Sequence, residues 1–128
     1  MPQDKESGEK GNEYGLETAR KVASAIGAEM LGSASNEAIY RGKNVVIKCA
    51  RVTTSSIGVT FKMQKSVSDV IAALEQPDGK YKIFALDIKV FRSKQKQSQS
   101  KPDAGHKVGQ VSKSVFTNQG ALLSIISI

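Results

Sequence analysis

A chain of 128 residues can bury one sizeable core, so a single domain is expected; 39% apolar and 24% charged residues, with 11 Gly and 3 Pro, are ordinary for a globular protein. One cysteine, Cys49, excludes an internal disulfide and a cysteine-based zinc site, and one histidine leaves no His/Cys cluster, so any metal would be oxygen-ligated. Nineteen Lys and Arg against 12 Asp and Glu give a net charge of +7, which favours a polyanionic partner over a cationic substrate.

The charge is uneven. Residues 1–43 hold six basic and seven acidic side chains, while residues 44–128 hold thirteen basic and five acidic, so the positive potential belongs to the back two thirds. Solubility alone is the bland reading of such an excess. An anionic membrane surface is disfavoured because no basic helix with a bulky apolar face is visible. The N-terminus, MPQDKESGEKGNE, is polar with no apolar stretch behind it, so neither a signal peptide nor a membrane span is expected and a cytoplasmic location follows.

Residues 1–12 lack hydrophobic periodicity and are expected to be a disordered lead-in to one domain over 13–128. From Glu13 to Leu31, Leu16, Ala19, Val22, Ala23, Ile26 and Met30 recur at spacings of three and four, which predicts an amphipathic helix stopped by Gly32. Glu37–Tyr40 and the apolar, β-branched run Val45–Val52 are predicted strands of a hairpin, joined by the turn Arg41-Gly42-Lys43-Asn44. The second strand is apolar on both faces apart from Lys48 and Arg51, as in a central strand covered on two sides. After Thr53-Thr54-Ser55-Ser56, the alternation of Ile57, Val59 and Phe61 predicts a third strand over 57–62.

In Ser66–Glu75, Val67, Val70, Ile71 and Leu74 fall at helical spacing, and Ser66 with Asp69 resembles an N-terminal cap, so a second helix is predicted before the turn Pro77-Asp78-Gly79. Lys80–Phe91 is a predicted fourth strand. The stretch RSKQKQSQSKPDAGH, residues 92–106, has one acid among basic and polar residues and reads as a flexible basic loop. One short element is expected around Val108–Phe116, before an apolar tail, ALLSIISI, that should dock on the core or on a second subunit. The expected fold is α/β, with core order α-β-β-β-α-β and helices flanking a mixed sheet.

Lys48 is the position that carries most information. An ammonium group in an otherwise apolar strand is costly to desolvate unless it reaches water or a partner. Glu37 opens the preceding strand and has a plain alternative role as a solvated strand-start charge. Glu17 lies on the first helix four residues before Lys21, where a surface ion pair is its ordinary role. Cys49 points to the face opposite Lys48, as a packed thiol would. His106 falls in the basic loop, where a general base would be poorly held.

The element order and these residues resemble the PD-(D/E)XK nucleases, the restriction-endonuclease-like superfamily, over about Glu13–Phe91. Asn36-Glu37-Ala38-Ile39-Tyr40 looks like the strand that opens with the family's first metal-binding acid, and Val46-Ile47-Lys48 stands at its (D/E)-X-K tripeptide. Two departures are plain: Val46 replaces the tripeptide's acid, and Asn36-Glu37 replaces Pro-Asp. The resemblance implies a Mg²⁺-dependent endonuclease that hydrolyses phosphodiester bonds of double-stranded DNA, working as a homodimer. In it Glu37 and Glu17, with the Ile47 carbonyl, hold the metal, and the catalytic pair is Lys48 and Glu37. A hard dication requires oxygen ligands, and the charge that develops at phosphorus requires a cation. Gln64 stands near a glutamine that some members place after the following strand.

Arg51, the hydroxyls of Thr53 and Thr54, Gln64, Arg92, Lys94 and Lys96 are the expected nucleic-acid contacts, the basic ones through phosphates. Few aromatics accompany them, so base stacking on a single strand is not expected. Two other readings stand beside the nuclease: a non-catalytic nucleic-acid-binding or interaction module that grips phosphates, and a structural subunit that joins an assembly through its apolar tail.

Overall fold

The structure, a computed structural model, describes residues 5–32, 36–97 and 108–127. Helix α1 spans Lys5–Ile26, so it begins within the stretch expected to be an irregular lead-in. It also ends before Leu31. Gly27 takes a left-handed conformation at φ 78°, and the Ala28 N–H donates to the Ala23 carbonyl at 2.8 Å, a closure that terminates the helix. The helical spacing therefore breaks at Gly27 and not at Gly32, and Glu29–Met30 becomes the short strand β1.

Strands β2 (Glu37–Tyr40) and β3 (Lys43–Ala50) form the expected hairpin. Its two-residue loop, Arg41-Gly42, has φ of 52° and 78°, the paired positive values whose twist matches the flanking strands. Strand β4 (Ser56–Thr60) leads into the single-turn helix α2 (Phe61–Gln64), which starts where the Thr60 hydroxyl accepts from the Met63 N–H at 3.1 Å. The chain continues as β5 (Asp69–Glu75), β6 (Lys80–Asp87), α3 (Ile88–Lys94), β7 (Lys96–Gln97), β8 (Val108–Ser112), α4 (Lys113–Gln119) and β9 (Ala121–Ser127).

Three sequence expectations are corrected. Residues 69–75 form a strand where a helix over 66–75 was expected, because β5 lies inside the sheet with both faces covered, and the run Val70–Leu74 is buried on both sides. The strand expected over 80–91 stops at Asp87, whose carboxylate accepts from the Lys89 N–H at 2.7 Å and caps α3. The start of the basic stretch is not loop: Arg92 and Lys94 are in α3 and Lys96 is in β7. The rest of that stretch, 98–106, lies outside the described residues, as do residues 1–4 of the N-terminal segment.

Two sheets result. The larger has the order β1-β2-β3-β5-β6-β9 and is mixed, β3 and β5 being parallel and the other pairs antiparallel. The smaller has the order β4-β8-β7. On the first face of the large sheet, Ala19, Val22 and Ala23 of α1 pack over Val45, Ile47, Ile71, Ala73 and Ile83. The second face presents Val46, Ala50, Val70, Ala72, Leu74, Phe84 and Leu86 to Ile57, Val59 and Val111 of the small sheet and to Phe91 of α3 and Phe116 of α4. Phe91 and Phe116 meet edge to face, with ring centroids 6.2 Å apart. The parallel step from β3 to β5 thus crosses the second face through β4 and α2, where the expected order required a strand followed by a packed helix. The class is α/β, built on a mixed six-stranded sheet with helices. Among the described residues, no helix is long and apolar enough to cross a membrane.

Candidate nucleic-acid interface

The β2–β3 register sets Glu37 opposite Val46, so their side chains share a face, and Lys48, two residues along β3, shares it as well. Because Val46 and Ala50 belong to the core beneath the small sheet, that face is the second. Glu17 is exposed on α1, which covers the first face, so the sheet stands between it and Glu37. Of the implied catalytic group, the fold places Glu37 and Lys48 on one side and leaves Glu17 on the other.

The donor set on this face does not suit Mg²⁺, which needs a near-octahedral shell of oxygens anchored by carboxylates. Val46, at the motif's acid position, is 0% exposed and packed among aliphatic side chains. The Ile47 carbonyl accepts from Asn36 Nδ2 at 3.0 Å, while the Ile47 N–H donates to the Asn36 carbonyl at 2.9 Å, so Asn36 engages both main-chain polar groups of Ile47. Among the described residues, no group of three or more His, Cys, Asp or Glu could hold a metal ion.

Lys48 itself is mostly buried. Desolvation holds its ammonium below the ordinary 10.5, and the neighbouring Cys49 thiol opposes that shift. Burial pushes Cys49 up to about 12, against the pull of Lys48. Such a thiol is protonated at neutral pH, which fits packing and not nucleophilic attack.

A second constellation forms where α2 meets the end of α3. Gln64, 3% exposed, donates through Nε2 to the Val59 carbonyl at 3.0 Å and to Gln95 Oε1 at 2.7 Å. This pair ties Lys62 and Lys65, which flank Gln64 in sequence, to Lys94 and Lys96, which flank Gln95. All four lysines and Arg92 are exposed, and residues 61–65 and 88–97 contain no acid. Gly109 makes the contact possible: a Cβ there would run into the Gln95 side-chain oxygen and reach 2.9 Å from Gln64 Nε2. Gln64 is thus a buried strut beneath the basic surface, its amide engaged inside the protein, and not a surface contact.

The remaining expected contacts lie elsewhere. Arg51, Thr53 and Thr54 are exposed in the loop after β3, where the Val52 N–H donates to Glu75 Oε1 at 3.0 Å and Lys113 Nζ donates to the Val52 carbonyl at 3.2 Å. That loop adjoins the end of β5, whereas the turn after α2 leads into its start. Along β5 the loop therefore lies about a strand's length, roughly 20–25 Å, from the turn that carries Lys65. Sequence reasoning did not single out Lys62, Lys65 or Gln95, which the Gln64–Gln95 contact brings into one neighbourhood with Lys94 and Lys96. Their signal was present as Lys-Met-Gln-Lys and Lys-Gln-Lys, two short basic segments each centred on an amide able to pair with the other.

No protein-family model, curated protein or solved structure matches this chain. The restriction-endonuclease-like assignment accordingly has no fold match behind it and rests on the motif residues.

Proposed function

We propose that this protein is a nucleic-acid-binding module that grips the phosphates of double-stranded DNA through Lys62, Lys65, Arg92, Lys94 and Lys96, without cleaving it. The observation that carries this reading is the Gln64–Gln95 pair, which brings together two acid-free segments whose basic side chains are exposed. Preassembled cations gain affinity from counterions released by the duplex, and no base-specific chemistry is needed for that gain. The chain's +7 charge adds long-range attraction of the same sign.

Cleavage is the reading the donor set disfavours. The shared face of Glu37 and Lys48 is what remains of the resemblance to the PD-(D/E)XK nucleases, and a lysine beside a single carboxylate stabilises charge but does not assemble a two-acid metal site. The loss of the acid at Val46 is compatible with a nuclease-like scaffold kept for binding.

The test compares wild type with Lys62→Ala/Lys65→Ala and with Arg92→Ala/Lys94→Ala/Lys96→Ala on a short duplex, alongside plasmid and branched DNA incubated with Mg²⁺ or Mn²⁺. Both variants are expected to bind at least tenfold more weakly, each lost phosphate contact being worth on the order of 1 kcal/mol. No metal-dependent cutting is expected. Cutting abolished by Lys48→Ala or Glu37→Ala would establish the nuclease instead.

A further inference from the structure

The tip of the β2–β3 hairpin carries a residue that its backbone does not favour. A two-residue turn with positive φ at both positions takes Asn-Gly or Asp-Gly most readily, because a longer side chain crowds its own backbone in the left-handed region. Here the first position is Arg41, at φ 52°, and among the described residues it is the one non-glycine with a positive φ. Strain of this kind clusters where a side chain serves a ligand. The guanidinium lies over the ring of the preceding Tyr40, 5.2 Å from its centroid, which orders it while Arg41 stays exposed. Lys43, after the turn, is exposed as well, and residues 38–44 contain no acid.

Backbone hydrogen bonds join this tip to the segments that carry the proposed DNA contacts. The Ser68 N–H donates to the Asn44 carbonyl at 2.8 Å, and the Ile88 N–H donates to the Ser68 carbonyl at 3.0 Å. Ser68 lies three residues after Lys65, and Ile88 opens α3, which carries Arg92 and Lys94. Asn44 directly follows Lys43, so the α-carbons of Lys43 and Lys65 lie within about 20 Å of each other. The register agrees: the parallel strands β3 and β5 pair from Val45 and Asp69 onward, and β6 ends at Asp87, opposite Asp69. The hairpin tip, the turn after α2 and the start of α3 therefore share one end of the large sheet. Asp69 and Asp87 at this end are engaged locally, accepting from the Ser68 hydroxyl at 3.0 Å and from the Lys89 N–H at 2.7 Å. Arg41, Lys43, Lys65 and Lys89, all exposed, outnumber them.

We propose that the hairpin tip is a further contact of this protein with double-stranded DNA, Arg41 donating to a phosphate of the duplex gripped by Lys62, Lys65, Arg92, Lys94 and Lys96. The inference rests on the duplex-binding reading and extends it to an element outside the Gln64–Gln95 contact. Arginine suits the role, since its planar fork can pair with a phosphate through its edge while its face stacks on an aromatic ring. Turn geometry and binding then make opposite demands on position 41: asparagine suits the first and arginine the second.

Arg41→Asn separates the two demands. Its melting temperature is expected to equal or exceed that of wild type, while its dissociation constant for a short duplex at low salt rises about threefold or more. Lys80→Gln, which removes one positive charge at the opposite end of the sheet, should change affinity by less than about twofold. Should Arg41→Asn fail to fold, Arg41→Gly, which the left-handed backbone does not oppose, replaces it with the same expectation. If wild type binds duplex and Lys62→Ala/Lys65→Ala weakens it, unchanged affinity in the folded position-41 variant overturns this inference alone, as does equal weakening by Lys80→Gln. Melting temperatures below wild type for both position-41 variants would show Arg41 serving the fold and overturn it as well. A wild-type chain that binds no duplex overturns it together with the reading on which it rests.

Discussion

An ammonium group drawn largely out of water gives up its proton more readily, and Lys48 does so in the middle of β3. Its folded pKa lies below that of the unfolded chain, so between the two values the unfolded state binds more protons and stability rises with pH. Below that window the charged lysine is a standing burden on the fold. Lys48→Met should therefore raise the melting temperature at pH 7, and the gain should shrink as pH approaches 10.5. Cys49 works in the opposite sense: the folded thiol keeps its proton up to about 12 while the unfolded one loses it from 9.0, so stability falls across that interval in both proteins. Thermal melts of the two proteins at matched pH check the first effect, and an equal or lower melting temperature for Lys48→Met at pH 7 would contradict it. Gly109 offers a second test at this scale. Gly109→Ala forces Gln95 away and leaves the Gln64 amide short of an acceptor, which should destabilise by about 1–3 kcal/mol and loosen the basic surface. Chemical denaturation and duplex binding should fall together; a loss of neither would remove Gln64–Gln95 from the account.

At the scale of elements, the hairpin β2–β3 was legible because its turn and its β-branched run are local signals. Helix α1 was legible in its stripe and misjudged at both ends, since a glycine's φ and a polar helix start are not written in hydrophobic spacing. Strand β5 was unreadable for a physical reason. Burial on both faces erases the alternation that marks a strand, and Val70, Ile71 and Leu74 then mimic a helix. The candidate site was legible in its cations and not in their grouping: Arg92, Lys94 and Lys96 were found, but their joining to Lys62 and Lys65 depends on a contact between residues 31 apart in sequence. That grouping depends in turn on how α3 is anchored. Phe91 is its one fully buried side chain and meets Phe116 of α4, so Phe91→Ala should cost about 3–5 kcal/mol and weaken duplex binding even where the chain remains folded. Denaturant titration gives the first quantity. Unaltered binding by a folded but destabilised variant would mean that α3 does not position the cations.

The whole molecule is a mixed sheet covered by a helix on one face and by a small sheet with helices on the other, and the Gln64–Gln95 contact joins two of its basic segments. Glu37 and Lys48 share one face of the sheet, with the aliphatic Val46 beside them and no second acid in that group. Binding without cutting is the function proposed on that arrangement. The most direct measurement is the affinity for a short DNA duplex as a function of salt, with and without Mg²⁺. If five basic side chains meet phosphates, log K should fall against log salt with a slope near −4 to −5, at about −0.9 per contact; the alanine variants should flatten it, and Mg²⁺ should produce no cut strands. A slope near zero, no binding at low salt, or strands cut in the presence of Mg²⁺ would contradict it.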